Sequence, residues 1–395
     1  MALYFYLVRE SSLRVWGLTV SERVARLLQG KAQPLKDPSR LKPEDAVLLL
    51  RGDYLLDDRL VRYLSGQRGL VVGLREGGRF VPLAAHVPSE LFSTTRAFLE
   101  GGAPPPKGLT LKTLDEITGD FLTHLKKFEP PFALKLEPET QAQVEKRLFD
   151  WSYKGVTDLV TKWVWPTPAR YVVKLCVKLG LKPNHVTALS FVLVLLAGYL
   201  FYVGKLGWGL FFAWIMTFFD TVDGKLARVT VTSSKFGHYF DHIIDLVHQP
   251  LWYILFALGA ERLGAYHLPY SIKELSYVLL VAYVWGRLVE GTFSGLFKFS
   301  IFTWRPIDSF FRLILARRNP CLILLTVSYL FRRPDYGFLA VTVWMVISSA
   351  FLSLRLLWAL WQRRRGPLKS WLREIERYKE HKLALKWFTR KAQET

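Results

Sequence analysis

Four aspartates stand where one hydrophobic stretch ends and the next begins: Asp220 and Asp223 in D-T-V-D-G-K-L-A-R, Asp241 and Asp245 in G-H-Y-F-D-H-I-I-D. The first two are three residues apart and the last two four apart, so on helices each pair shares a face. The connector of eight residues between Arg228 and Gly237 lets the two helix ends meet. Carboxylates at the edge of hydrocarbon are costly unless paired or metal-bound. The four are therefore expected to hold divalent metal rather than to be solvated acids at helix ends.

Gly224, Ala227 and Gly237 are small where another group would press against these helices, although small residues at helix contacts also simply permit close packing. Together Asp220, Asp223, Gly224, Ala227, Arg228, Gly237, Asp241 and Asp245 match D-x2-D-G-x2-A-R-x8-G-x3-D-x3-D in type and spacing. That is the signature of the CDP-alcohol phosphotransferases, which the chain resembles from about residue 150 to 362. The resemblance implies an integral membrane enzyme, a homodimer, that transfers a substituted phosphate from a CDP-alcohol donor to an alcohol acceptor and releases CMP. It implies Mg2+ or Mn2+, two ions, on Asp220, Asp223, Asp241 and Asp245, with Asp245 also the general base. The CDP moiety would lie against Asp220, Gly224, Ala227, Arg228 and Gly237. L-K-P-N-H-V-T resembles the P-N-x-x-T that opens the family's first span, so Asn184 or Thr187 either caps that helix or hydrogen-bonds the cytidine.

Composition fits a membrane protein with a soluble part, because 51% of residues are hydrophobic yet 22% are charged. About six spans are legible: Val186 to Val203, Gly207 to Val222, Phe240 to Ala260, Leu275 to Phe297, Cys321 to Phe331 and Phe338 to Trp361. The fifth is too short for about 30 Å of hydrocarbon and is expected to extend back through Phe310 to Asn319, with Pro320 inside or at a kink. The fold class is thus an α-helical integral membrane protein of about six transmembrane helices preceded by a small cytosolic α/β domain. Lys174, Lys178, Lys182, Lys225, Arg228 and Lys235 lie on one side, which the excess of positive charge marks as cytoplasmic. A multi-pass protein of a prokaryotic inner membrane follows, with both termini and the acidic motif in the cytoplasm.

The chain opens with no cleavable secretory signal, since the apolar run Leu3 to Val8 is short and followed by Glu10. Cys176 and Cys321 lack metal-ligand spacing and are read as packing residues. A net charge of +21 calls for an anionic partner. The basic residues crowd beside predicted spans and in the tail, so membrane lipid head groups account for them and nucleic acid does not. In the tail, residues 363–395, Trp371, Ile375, Leu383, Leu385, Trp387 and Phe388 alternate with basic residues, as in a helix lying in the interface or a soluble basic helix.

Residues 1–130 read as a separate α/β domain. Leu3 to Val8 and Ala46 to Leu50 are expected as buried strands, Val20 to Leu28 as a helix and Val71 with Val72 in a third strand, with Pro104, Pro105 and Pro106 ending or dividing it. This order weakly resembles sugar-nucleotide pyrophosphorylases, in which Gly52 and Asp53 would match a metal-binding Gly-Asp. Such enzymes cradle phosphates with a Gly-rich loop after the first strand, where this chain has R-E-S-S-L-R. A degenerate domain is expected, and a bifunctional enzyme that makes its own CDP-alcohol is the alternative.

Residues 131–184 link the domains, and the membrane part covers 185–362. In the linker, Leu148, Trp151, Val156, Leu159, Val160 and Trp163 are expected on the apolar face of one helix along the membrane over Glu145 to Lys162. Lys154, Thr157, Asp158 and Lys162 would border the acceptor's path. Arg287 and Glu290 fall within the fourth span, where charge is costly unless it faces a cavity; with Lys298, Arg305, Arg312, Arg317 and Arg318 they could grip a phosphate or simply obey the topology rule. His238 and His242 flank the motif at unspecified positions. A transporter with intramembrane carboxylates is a further reading, but no internal repeat is visible.

Overall fold

The computed structural model describes residues 2–117, 124–232 and 235–389, without the side chains of 124 and 235–242. Its first half alternates strands and helices: β1 (Leu3–Val8), α1 (Val20–Leu27), β2 (Gln33–Pro34), β3 (Ala46–Arg51), β4 (Tyr54–Leu56), α2 (Asp58–Leu64), β5 (Leu70–Glu76), β6 (Arg79–Pro88), α3 (Phe92–Leu99), β7 (Thr110–Thr113) and β8 (Ala133–Lys135). Six of the strands form one mixed sheet in the order β2-β1-β3-β6-β5-β7, while β4 and β8 pair separately. All six residues of β3 are buried, which explains why it reads as an unbroken apolar run instead of alternating. Thr19 and Glu22 close a capping box that starts α1. The proline run lies between α3 and β7, and β7 rejoins the sheet beside β5, so the prolines divide this layer without ending it.

Helices make up most of the remainder: α4 (Gln141–Trp151), α5 (Pro166–Lys178), α6 (Pro183–Tyr202), α7 (Leu206–Val229), α8 (Lys235–Arg262), α9 (Ile272–Phe297), α10 (Pro306–Ile314), α11 (Arg318–Leu330), α12 (Pro334–Arg363) and α13 (Lys382–Phe388). The six apolar stretches fall in α6, α7, α8, α9, α11 and α12. Among the described residues, three segments are long and apolar enough to cross a membrane, Pro183–Tyr202, Ile243–Arg262 and Pro334–Arg363, and a fourth if α10 and α11 form one span bent by 43°. The bend falls between Ile314 and Arg318 and not at Pro320, which sits in the first turn of α11 where its missing N–H leaves no helix bond unmade.

Two expected helices take other forms. Glu145 to Lys162 is not one helix: α4 stops at Trp151 and the chain turns before a wide helical turn at Val160–Val164. The cause is a competing set of hydrogen bonds, because the Gly155 and Val156 amides donate to the carbonyls of Leu125 (3.1 Å) and Lys126 (3.2 Å). Leu148 and Trp151 then join the N-terminal core, whereas Val156 joins a separate cluster with Phe293, Phe302 and Trp371. The tail folds back on the protein: Trp371 and Phe388 are fully buried, and the Trp371 indole donates to Ser309 Oγ at 2.9 Å.

The two halves share a core. Phe5, Val24, Leu48, Leu60 and Trp151 pack in one cluster with Val173 of α5 and Val222, Leu226 and Val229 of α7. Buried Arg23 of α1 grips both carboxylate oxygens of Asp58 (2.9 and 2.8 Å), and its Nη1 donates to the Val229 carbonyl at 2.6 Å. Arg26 donates to Thr230 O at 2.7 Å. Both arginines thus serve carbonyls at the end of α7, where a helix lacks its own donors and favours positive charge.

Candidate active site

Residues 220, 223, 224, 227 and 228 recur at three- and four-residue steps, so α7 presents them on one face. Asp223 is buried, and one carboxylate oxygen accepts a hydrogen bond from Thr187 Oγ1 of α6 at 2.9 Å. Thr187 is thereby tied to the acidic motif, while Asn184 stands exposed in the first turn of α6. Arg228 folds over Gly224 so closely that a Cβ added there would lie 3.0 Å from Arg228 Nη2. Glycine at 224 therefore leaves the guanidinium room to lie against the helix.

Asp245 comes from α8 and meets Asp220 through α11. Arg318 donates from Nη1 to Asp245 Oδ1 at 2.7 Å and from Nη2 to Asp220 Oδ2, so one cation bridges the two carboxylates. Asp220 and Asp245 are hard oxygen donors of the kind a magnesium-type ion takes, but among the described residues no group of three or more His, Cys, Asp or Glu side chains is arranged to hold a metal ion. Gly237, His238, Asp241 and His242 lie on the first turns of α8, and their side chains are outside the described residues. His248, one turn beyond Asp245, is buried with its Nδ1 2.6 Å from the Ile244 carbonyl.

The basic candidates divide into groups. Glu290 pairs with Arg317 and stands 3.7 Å from Arg287, which lies over the Tyr283 ring. Arg305 packs elsewhere, between the Trp304 and Trp358 rings, beside the buried Arg355–Asp308 pair. Asp158 acts as a latch: its Oδ1 accepts from Asn319 Nδ2 at 2.8 Å and from the Thr161 amide at 3.0 Å, fastening the wide turn to α11. Lys154 lines a cavity of about 200 Å³ with Lys127, Tyr153, Lys162 and Trp387.

Sequence reasoning took Lys225 only as a charge marking one side of the membrane, whereas it is buried with its Nζ 3.3 Å from the Tyr153 ring centroid and 3.3 Å from Ser152 O. Its position inside the signature, at an unspecified place between Gly224 and Ala227, was the available signal. Lys126 was also missed, because nothing in its local sequence tells that the strap formed by Leu125, Lys126 and Lys127 reaches the membrane half.

In the N-terminal half, Asp53 is held by Arg51, whose Nε donates to Oδ1 at 2.6 Å. A Cβ on Gly52 would lie 2.8 Å from Glu10 Cα, so the segment after β1 rests directly on this Gly-Asp.

Residues 181–361 match the family model described as CDP-alcohol phosphatidyltransferase. The archaetidylinositol phosphate synthase of Pyrococcus horikoshii is 33% identical over 114 residues, a stretch covering 26% of this chain and 60% of that protein. The chain thus spans about three fifths of the curated relative it matches. The helical segment is thus similar to the CDP-alcohol phosphatidyltransferases.

Proposed function

We propose that this chain, whose residues 181–361 carry the CDP-alcohol phosphatidyltransferase domain, moves a substituted phosphate from a CDP-alcohol to the hydroxyl of an acceptor alcohol and releases CMP at the cytoplasmic face of a membrane. The carrying observation is that Asp220 of α7 and Asp245 of α8 meet on Arg318, with Asp223 bonded to Thr187 and Arg228 folded over Gly224 on the same face of α7. The reaction needs the charge of two phosphates neutralised and a proton removed from the attacking hydroxyl. When bound, Mg2+ or Mn2+ on Asp220, Asp223, Asp241 and Asp245 supplies the neutralising charge. Asp245, the last carboxylate of the set, takes the hydroxyl proton. Arg228 contacts the CDP phosphates, Gly224 and Ala227 leave space for the nucleoside, and Gly237 does so from α8.

The relative's name supports a substrate pair of CDP-activated lipid and inositol phosphate, and Arg287, Arg317, Arg318 and Lys154 are among the basic side chains we place on the acceptor's side of the site. Arg305 and Asp158 are engaged in packing and in the latch, so we place them outside the acceptor's reach. A homodimer, and the cytoplasmic location of both termini, complete the reading.

The test is CMP release by the full chain in lipid nanodiscs, supplied with CDP-diacylglycerol or CDP-archaeol and myo-inositol 1-phosphate. Release should require Mg2+ or Mn2+ and should be lost in Asp220→Asn, Asp223→Asn and Asp241→Asn proteins that still fold. Full activity in excess chelator would overturn the proposal.

A further inference from the structure

Lys126 lies outside the family segment and outside the signature, yet it faces the membrane half. Leu125 and Lys126 both adopt left-handed φ, 55° and 52°, a conformation that is unfavourable for side-chain-bearing residues and persists only where the surroundings enforce it. The surroundings do enforce it. Besides the two amide bonds from Gly155 and Val156, Lys127 is anchored to Glu129 and to Trp151 O at 2.6 Å. Gly155 presses so closely that a Cβ there would lie 2.8 Å from Lys126 O and 2.4 Å from Lys127 Cβ. The strap is thus held on both sides.

It places a third cation around one ring. Lys126 Nζ is 5.7 Å from the Phe302 centroid, and the guanidinium carbons of Arg312 and Arg317 are 5.5 and 5.8 Å from the same centroid. Glu290 answers Arg317, but Arg312 Nη1 and Arg317 Nε are buried without a hydrogen-bond partner among the described residues. Buried donors of charged groups are normally satisfied, so orphans on two converging arginines point to a ligand rich in acceptor oxygens. Burial first, then the nearby charges of Arg312, Lys154 and Arg317, push the Lys126 ammonium down to about 7, with Glu290 opposing. The free protein therefore holds these cations at a cost that an anion would relieve.

We propose that Lys126, Arg312 and Arg317 form a phosphomonoester site, to which the N-terminal half contributes Lys126, and that it binds the phosphate of a phosphorylated acceptor alcohol. The anion site stands on the geometry around Phe302; its assignment to the acceptor rests on the transferase reading.

The experiment uses the full chain in nanodiscs of neutral phosphatidylcholine. Inorganic phosphate and myo-inositol 1-phosphate should each raise the unfolding temperature of the wild type, and less so in Lys126→Met and Arg312→Met. In turnover, Lys126→Met should raise KM for myo-inositol 1-phosphate about ten- to hundredfold, the scale of a lost charge-assisted bond. The donor KM and kcat should be unchanged, and Lys126→Arg should restore the acceptor KM. Because the cation is lost as pH rises through about 7, wild-type acceptor affinity should fall above that pH, and Lys126→Arg should remove the fall. An unchanged phosphate shift in Lys126→Met would overturn the anion site. A raised donor KM, or an equal KM increase for unphosphorylated inositol, would overturn the acceptor assignment. Loss of the phosphate effect on adding anionic lipid would assign the site to head groups and overturn it as well. If no CDP-alcohol releases CMP, the transferase reading fails, while the thermal shifts still decide the anion site.

Discussion

Replacing Arg318 by Met separates the guanidinium's role from that of a metal ion. The side chains of Arg318, Asp220 and Asp245 are 11%, 16% and 32% exposed, and Arg318 donates one charge-assisted bond to each carboxylate. Removing one partner of a buried pair costs about 3–5 kcal/mol, because the remaining charge is left uncompensated. Asp245 is a third open to solvent, so the lower figure applies, and Arg318→Met should destabilise the metal-free protein by about 3 kcal/mol. A divalent ion bound to the same oxygens supplies the missing charge, so the loss should largely vanish when metal is added. Linkage then requires the variant to bind the ion more tightly than the wild type by the same free energy, roughly a hundredfold. Thermal unfolding in detergent with EDTA and across a Mg2+ titration reads both quantities without turnover. Equal Mg2+ stabilisation of the two proteins, or weaker stabilisation of the variant, would refute the idea that Arg318 and the metal share these carboxylates.

Two further outcomes follow from the site and from the N-terminal half. Asp245→Asn should keep CDP-alcohol binding while turnover drops by on the order of a hundredfold or more, as befits loss of a general base; near wild-type turnover would reassign the role. The full chain should release no pyrophosphate from CTP with inositol or glycerol phosphates, since Arg51 holds Asp53 and the segment after β1 covers Gly52; release that disappears in Asp53→Ala would make the chain bifunctional.

The acidic motif and the helices that carry it were legible because both are periodic. Three- and four-residue steps put the signature on one face of α7, and apolar runs fall within α6, α7, α8, α9, α11 and α12, while α10 was not read as a helix of its own. The strands at Leu3–Val8 and Ala46–Arg51 were equally plain as continuous apolar runs, and the second is buried on both faces. What could not be read depends on partners distant in sequence. The helix expected over Glu145 to Lys162 fails because its amides bond to a strap some thirty residues earlier. The tail's tryptophans look lipid-seeking by composition, yet Trp371 finds Ser309 and a protein core. Amphipathic pattern states that an apolar face will be covered, not by what.

That dependence bears on why a half without the signature is fused to one that has it. Val222, Leu226 and Val229 of α7 pack in the same core as β1, β3 and α2, and Arg23 and Arg26 bond the carbonyls at the end of α7. Asp220 and Asp223 lie on that same helix, so its position is fixed partly by the N-terminal half. The strap at Lys126 extends the same logic from the helix to a cation: a residue far from the signature in sequence reaches Phe302, Arg312 and Arg317 because Gly155 lets two backbones meet. The N-terminal half thus holds α7 and presents Lys126 without a Gly-rich segment after β1. On this account the N-terminal half is kept for where it places α7 and one lysine.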